Sequence, residues 1–313
     1  LKMGLKKILI GHTGFVGSNL ISQTDFDAAF NSKNISDAFG TNPDLLVYSG
    51  VRAEKFLANK EPENDFQIIL NAIENIKKIN PKKIILISTV DVYPVPFKVD
   101  ENENIDEKAC LPYGKNRLYL ERWVEQNYLN HLIVRLPALF GQNIKKNFIY
   151  DLIHIIPSML SNDKFLELSK TNPWITQYYT KQESTFYKLN DISNAEKLVL
   201  KDQFLKINFS ALNFTDSRSV FQFYDLKNLW SDMVIAQNNT IKKLNLATEP
   251  ISASEIYHSI FNKEFVNEVM DVPANYNFYT MHSKCYNYSD KYIRSKEEIL
   301  RDIRTFITEF KTK

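Results

Sequence analysis

Gly11, Gly14 and Gly17 fall within one short stretch, Ile8-Leu9-Ile10-Gly11-His12-Thr13-Gly14-Phe15-Val16-Gly17-Ser18-Asn19-Leu20. An apolar strand pattern runs straight into it, and an apolar-periodic helix pattern follows. The chain has eight glycines in 313 residues, all before residue 142, where average usage of about 7% would give roughly twenty. A chain this sparing of glycine keeps it where the backbone needs a turn or a close approach. A glycine turn between strand and helix is the context that can receive a dinucleotide pyrophosphate, because phosphates can approach the backbone and the positive end of the helix. The spacing is G-x-x-G-x-x-G, not the commoner G-x-G-x-x-G. A plain tight turn is the alternative.

The next 130 residues alternate strand and helix patterns. Strands are expected at Lys6 to Ile10, Phe26 to Asn31, Asp44 to Ser49, Lys83 to Ser88 and Leu132 to Leu136. Helices are expected at Phe15 to Gln23, Glu61 to Ile79 (with Pro62 in its first turn) and Tyr113 to Tyr128. Near-continuous apolar strands alternating with helices imply an α/β fold, a doubly wound parallel sheet of Rossmann type, with helices on both faces. After Gly141 the rhythm is lost. Residues 146–210 read as mainly helical, and Phe221 to Tyr224 and Leu244 to Leu246 look sheet-like. Ser295-Lys-Glu-Glu298 resembles a capping box before a final helix. The expected division is a dinucleotide-binding domain at 1–147, with segments near 212–248 returning to it. A smaller C-terminal substrate-binding region takes 148–211 and 249–313.

Composition narrows the function. Lys plus Arg number 39 and Asp plus Glu 37, and the lysine doublets are scattered, which argues against a nucleic-acid surface. Cys110 and Cys285 are far apart, so neither a disulfide framework nor a metal-spaced set is visible. No apolar run approaches the roughly 18 residues of a membrane helix. Residues 1–4 leave no room for a signal peptide, so a reducing cytoplasm is expected.

Two further constellations carry chemistry. Ile87-Ser88-Thr89-Val90-Asp91-Val92-Tyr93 sits at the C-terminal end of a buried strand, where open parallel sheets place their ligands. Pro112-Tyr113-Gly114-Lys115-Asn116-Arg117 opens a helix. Tyr113 and Arg117 share one helix face, and a cation beside a phenol favours the phenolate. Thr89 is then placed to hold a substrate oxygen while Tyr113 transfers the proton. Lys115 falls on nearly the opposite face. Trp174, Tyr178, Tyr179 and Trp230 read as core aromatics more than as base-stacking platforms.

With these motifs the sequence resembles the extended short-chain dehydrogenase/reductase family, the NAD-dependent epimerase/dehydratase group that modifies nucleotide-activated sugars. The likeness runs through the glycine loop, Asp44 to Gly50, Ser88-Thr89 with Val92-Tyr93, Tyr113-Gly114, Val134 to Gly141, Asn147 to Ile149, Phe221 to Asp225 and Leu244 to Leu246. It implies Thr89 as the catalytic hydroxyl, Tyr113 as general acid/base, and Arg117 supporting both the tyrosine and the nicotinamide ribose. It implies cofactor contacts from Gly11, Thr13, Gly14, Phe15, Val16, Gly17, Asn31, Lys33, Ser49, Gly50, Val51, Ser88, Leu136 and Leu139, the last two in a segment, Arg135 to Gly141, lying against the nicotinamide. Asn71 and Arg52 line the groove, and Arg52, Asn147 and Arg218 face a nucleotide-diphosphate sugar. The implied activity is NAD(P)-dependent 4-keto reduction or C4 oxidation of such a sugar for surface polysaccharides. Epimerisation is the alternative reaction, and a weakly catalytic dinucleotide sensor or scaffold the alternative class. A homodimer through the helices at 61–79 and 113–128 is also implied.

Two departures from the family pattern stand out. The family's Y-x-x-x-K ends here in Arg117, which is forked and not equivalent to lysine. The match Tyr292 to Lys296 is out of order with the other motifs. Where NAD sites usually carry an acidic residue, about 20 residues past the first glycine, the chain has Asn31-Ser32-Lys33, which leans to NADP. Dehydratases of the family carry an Asp-Glu pair after the catalytic threonine. Val90-Asp91 leaves one carboxylate, either a proton shuttle or a strand-end cap.

Overall fold

Strand β1 (Lys7–Ile10) runs into Gly11, and α1 (Phe15–Ile21) leaves the turn. Next come β2 (Ala28–Phe30), β3 (Leu45–Tyr48), α2 (Lys55–Lys60) and α3 (Pro62–Ile79). They are followed by β4 (Ile84–Thr89), α4 (Pro112–Asn127), β5 (His131–Leu136) and β6 (Ala138–Phe140). The middle of the chain carries α5 (Phe148–His154), β7 (Met159–Ser161), α6 (Asn162–Thr171), α7 (Ile175–Tyr178), β8 (Tyr179–Lys181), β9 (Phe186–Leu189) and α8 (Asn194–Lys206). The last third adds β10 (Val220–Phe221), β11 (Phe223–Asp225), α9 (Leu229–Asn238), β12 (Lys243–Asn245), β13 (Ile251–Ser252), α10 (Ala253–Phe261) and α11 (Lys296–Thr312). This computed structural model describes residues 5–182 and 186–312. Residues 1–4, on which the signal-peptide reading rests, lie outside the described residues.

The chain divides into two compact units. One takes Leu1–Ile144, Val220–Ile251 and Ala274–Phe306, and the other Lys145–Ser219, Ser252–Pro273 and Ile307–Lys313. The stretch 274–306, which the sequence suggested for the substrate region, therefore belongs to the first unit.

A six-stranded parallel sheet, ordered β12-β5-β4-β3-β1-β2, organises the first unit. Side chains alternate across it with the strand period of two. Ile8, Ile10, Leu46, Tyr48, Ile84 and Leu86 pack on one face with Ile69, Ile73 and Ile76 of α3 and Leu120 and Val124 of α4. Leu9, Leu45, Val47 and Ile85 pack on the other with Leu20 of α1 and Leu229 and Met233 of α9. Burial on both faces explains the unbroken apolar runs. The capping box at the last helix forms, with Ser295 N–H donating to Glu298 at 2.8 Å and Glu298 N–H to the Ser295 hydroxyl at 3.3 Å.

Helices outweigh strands among the described residues of the second unit, as expected, but a small sheet escaped the sequence reading. It is three-stranded and antiparallel, β7-β9-β8, with Phe165 stacked on Tyr187 at 3.7 Å. Strands of three or four residues are too short for a period-two signal, and the aromatic packing decides them. Trp174 meets Phe204 edge-on at 5.2 Å, and the buried Tyr179 hydroxyl donates to the Pro157 carbonyl at 2.5 Å. In the first unit Trp230 packs edge-on against Phe26 at 5.7 Å. These aromatics are core.

A charged network lies buried beside β4 and β5. Arg135, 1% exposed, donates to Glu121, 0% exposed, through Nε at 3.1 and 3.2 Å and Nη2 at 2.6 Å. The Ser88 hydroxyl donates to the same carboxylate at 2.5 Å, and Arg135 Nη1 donates to the Tyr93 hydroxyl at 2.7 Å. Burial pushes the Tyr93 phenol up to about 12, so it stays neutral. Removing one partner strands the other charge. Glu121→Ala is expected to lower stability by about 3–5 kcal/mol, read as a lower urea midpoint at unchanged slope.

Candidate active site

Tyr113 reaches the end of β4 because Gly114 has no side chain. A Cβ on Gly114 would lie 1.9 Å from the Asp91 carbonyl oxygen, so the first turn of α4 packs directly on the backbone of residues 90–92. Tyr113 N–H also donates to Asn59 Oδ1 of α2 at 2.9 Å, which fixes the start of the helix. The Tyr113 side chain is 6% exposed, and the nearby Thr89 side chain draws the affinity of its phenol for the proton down. Thr89 also accepts from Asp91 N–H at 3.1 Å, capping the short turn Val90–Val92.

Arg117 lies beneath the tyrosine, its guanidinium 4.0 Å from the ring centroid. It is buried and paired with the buried Asp65 of α3, and its Nη2 donates to the Arg52 carbonyl at 2.6 Å. Asn116 adds a 2.8 Å bond to the same carboxylate. Arg117 thus supports Tyr113, but its charge is met by Asp65. The cation does draw the phenol's proton affinity down, as its position four residues on implies, but the net shift is the opposite one. Burial dominates and raises it, against the opposing pull of Arg117, Thr89 and Lys55, while Asp91 pushes it further up.

Asp91 is neither a free shuttle nor the cap. Its Oδ1 accepts from Lys55 Nζ at 2.7 Å and from the Tyr276 hydroxyl at 3.1 Å. Lys55, Asp91, Tyr93, Tyr113 and Tyr276 line one cavity of about 100 Å³ with Gly114, Leu111, Pro94 and Pro96. Lys55, Asp65, Asn59 and Tyr276 escaped the sequence reading. The six-residue α2 carries no capping side chain, and Tyr276 follows at a distance no local motif spans.

At the glycine loop Gly11 takes φ +91°, and a Cβ there would lie 2.6 Å from the Ser49 carbonyl oxygen. A Cβ on Gly17 would lie 2.1 Å from the Gly11 oxygen. Ser49 ties β3 to β1 through its hydroxyl, which donates to the Ile10 carbonyl at 2.8 Å. Asn19 braces the loop from α1. Its Nδ2 donates to the Gln142 carbonyl at 2.8 Å and its Oδ1 accepts from Gln142 N–H at 3.1 Å. Thr13 and Gly14 are exposed, and Phe15 and Val16 pack on the core. The buried Nδ1 of His12 has no hydrogen-bond partner among the described residues. A close-packed glycine cradle with an orphaned ring nitrogen fits a dinucleotide's phosphates. Asn31 and exposed Lys33 lie in the turn after β2, where Lys33 N–H donates to Asn31 Oδ1 at 2.9 Å.

The remaining candidates separate. Gly50 is exposed at the end of β3 and Val51 packs against the core. Leu136 is buried and Leu139 half-buried. The Ser88 hydroxyl turns into the Glu121 network. The Asn71 side chain lies on the exposed face of α3 and accepts from Gln67 at 3.3 Å, and the Arg52 side chain is exposed. In the second unit, Asn147 at φ +118° caps α5, its Oδ1 accepting from Ile149 N–H and Tyr150 N–H. Arg218 is held by Asp216 at 2.8 and 2.9 Å and by the Met270 carbonyl at 2.7 Å. The out-of-order Tyr292 donates to Asn277 at 2.7 Å. Among the described residues no group of three or more His, Cys, Asp or Glu is arranged to hold a metal, and no helix is long and apolar enough to cross a membrane.

A parallel sheet with a tyrosine–threonine pair at the end of β4 defines a nucleotide-binding α/β protein. The chain belongs to the NAD dependent epimerase/dehydratase family, whose model matches residues 28–223. That match begins after the glycine loop, which the fold itself supplies. No curated protein sequence matches the chain. Among solved structures it is similar to a Bacillus anthracis dTDP-4-dehydrorhamnose reductase in complex with NADP (16% identity, 99% of each chain, TM-score 0.61). It is similar also to a Campylobacter jejuni GDP-mannoheptose C4 reductase with NADP bound (14%, 99% of each chain, 0.58) and to a UDP-galactose 4-epimerase (12%, 98% of each chain, 0.59).

The contact at Gly114 is testable. Gly114→Ala is expected to cost at least about 1–3 kcal/mol, the range for overpacking, in urea unfolding. Gly40→Ala tests a different source of cost, since Gly40 has open space but a positive φ. It should cost less than Gly114→Ala.

Proposed function

We propose that this chain is an NAD(P)-dependent oxidoreductase that reduces a keto group, most simply at C4, of a nucleotide-diphosphate sugar, in the making of surface-polysaccharide sugars. The observation that carries the reading is the buried Tyr113 phenol, under the influence of the Thr89 side chain at the C-terminal end of β4 and lining a cavity with the first turn of α4. Family membership and the likeness to two C4-type sugar reductases support it. The bound reduced nicotinamide supplies the hydride. Thr89 holds the substrate oxygen, and Tyr113 gives that oxygen its proton as the carbonyl becomes an alcohol. Gly11, Gly14 and Gly17 admit the pyrophosphate, and the exposed Lys33, with no carboxylate at Asn31, favours a 2′-phosphate and hence NADP. The single carboxylate at Asp91, engaged with Lys55, disfavours dehydration.

The test is NADPH oxidation over a panel of nucleotide-diphosphate 4-keto sugars. Stoichiometric loss of reduced-nicotinamide absorbance marks a reductase, while interconversion without net loss marks an epimerase. Tyr113→Phe is expected to lower kcat by about 10²–10⁴-fold, the usual worth of a general acid, with NADPH binding kept. Turnover that appears only on Arg117→Lys would instead make the natural chain a dinucleotide-binding protein with little catalysis.

A further inference from the structure

The charge four residues after Tyr113 is already matched. Arg117 is 5% exposed, its guanidinium pairs with Asp65 and donates to the Arg52 carbonyl, and Asn116 bonds the same Asp65. A second cation stands at the cavity that Tyr113 lines. Lys55 projects from the first turn of α2, its Nζ 2.7 Å from Asp91 Oδ1 and 3.3 Å from the Tyr276 hydroxyl. Tyr276 is fixed independently. Its chain segment pairs with residues 96–98, through Asn277 N–H to the Pro96 carbonyl at 3.0 Å and Lys98 N–H to the Asn277 carbonyl at 2.6 Å. Lys55, Asp91 and Tyr276 therefore form a closed triangle of hydrogen bonds on the wall of the cavity, and the Lys55 side chain is 41% exposed.

We propose that Lys55 is a positioning residue for the reaction: its ammonium, set by Asp91 and Tyr276, acts on Tyr113 alongside the buried Arg117 and, unlike Arg117, lines the cavity that Tyr113 faces. The inference rests on the proposed reductase reading for its use, but its physical content is a property of the ligand-free protein. As the carbonyl carbon receives the hydride, the Tyr113 O–H bond breaks, its proton goes to the substrate oxygen and a phenolate is left. Lys55 gives up no proton. It stays an ammonium, held so by Asp91 and Tyr276 against the cost of burial, and it stabilises that phenolate. The charged and titratable groups around Tyr113 are Arg117 on its own helix, with Asp65 of α3 behind it, Asp91 after β4, Lys55 of α2, and Tyr93 and Tyr276 on the cavity wall. Asp91 opposes Lys55. The pair is thus a balance, with each member moving the phenol in the opposite direction.

The experiment is a pH titration of tyrosine labelled with ¹³C at Cζ, followed by NMR in the ligand-free protein, with Tyr113→Phe assigning the resonance. Asp91→Asn leaves the Lys55 charge unmatched and is expected to move the Tyr113 titration to lower pH. Adding Lys55→Met to Asp91→Asn removes that downward shift, and adding Lys55→Arg keeps it. Lys55→Met alone moves the titration to higher pH. Equal Tyr113 titrations with and without Lys55 in the Asp91→Asn protein, or no titration there below the onset of alkaline unfolding, overturn the proposal. In turnover, once a nucleotide sugar is accepted, Lys55→Met is expected to lower kcat near neutral pH about tenfold with KM held within about twofold, and Lys55→Arg to restore it. A wild-type protein that turns over no sugar while these titration shifts appear retires the reductase reading and leaves the role of Lys55 standing.

Discussion

The buried Arg117–Asp65 pair is the constraint around which the candidate site is arranged. Taking two charges out of water is tolerable only when each meets the other and its remaining hydrogen-bonding groups are used. Here one guanidinium does three things. It pairs across to α3, it donates to the Arg52 carbonyl of the loop after β3, and it lies under the Tyr113 ring. A lysine ammonium is a point charge and does not supply this planar, forked set of contacts. The arginine therefore links the two helices and the cofactor-side loop, and acts on the tyrosine both by its contact with the ring and by its charge.

The electrostatics follow from that arrangement. Tyr113 sits where burial favours the neutral phenol, between an ion pair below it and another beside it. Each pair is nearly neutral as seen from a distance, so small imbalances between partners are what the phenol feels. The opposite logic holds beside β4, where Arg135 and Glu121 are sealed in and the neutral Tyr93 and Ser88 complete their hydrogen bonds. One network is structural because it is closed. The other faces a cavity.

The parallel sheet was legible because its strands are buried on both faces and so read as unbroken apolar runs, and because a strand–glycine–helix passage has few other structural uses. Thr89 could be placed at the end of such a strand and Tyr113 at the opening of the next helix, and the structure brings both to the same end of the sheet. The antiparallel β7-β9-β8 sheet was not legible, since three- and four-residue strands leave no periodicity and are decided by contacts such as Phe165 on Tyr187. Asp65, Lys55 and Tyr276 were hidden for a related reason. Each is an ordinary surface residue type in its own helix or loop and acquires meaning only from what folds against it. The direction of the Arg117 effect on the phenol was legible, but its net state was not, because spacing along a helix gives the cation and not the burial that outweighs it.

Asn19 has a consequence for how the chain acquires its glycine loop. Its carboxamide engages both hydrogen-bonding groups of the Gln142 peptide, 123 residues further along. A side chain on α1 thus behaves as a one-residue strand against the segment after β6. During synthesis the loop at Gly11 emerges well before its brace, which arrives only when Gln142 does. The glycine cradle therefore gains this brace only after all of β1 to β6 has been made.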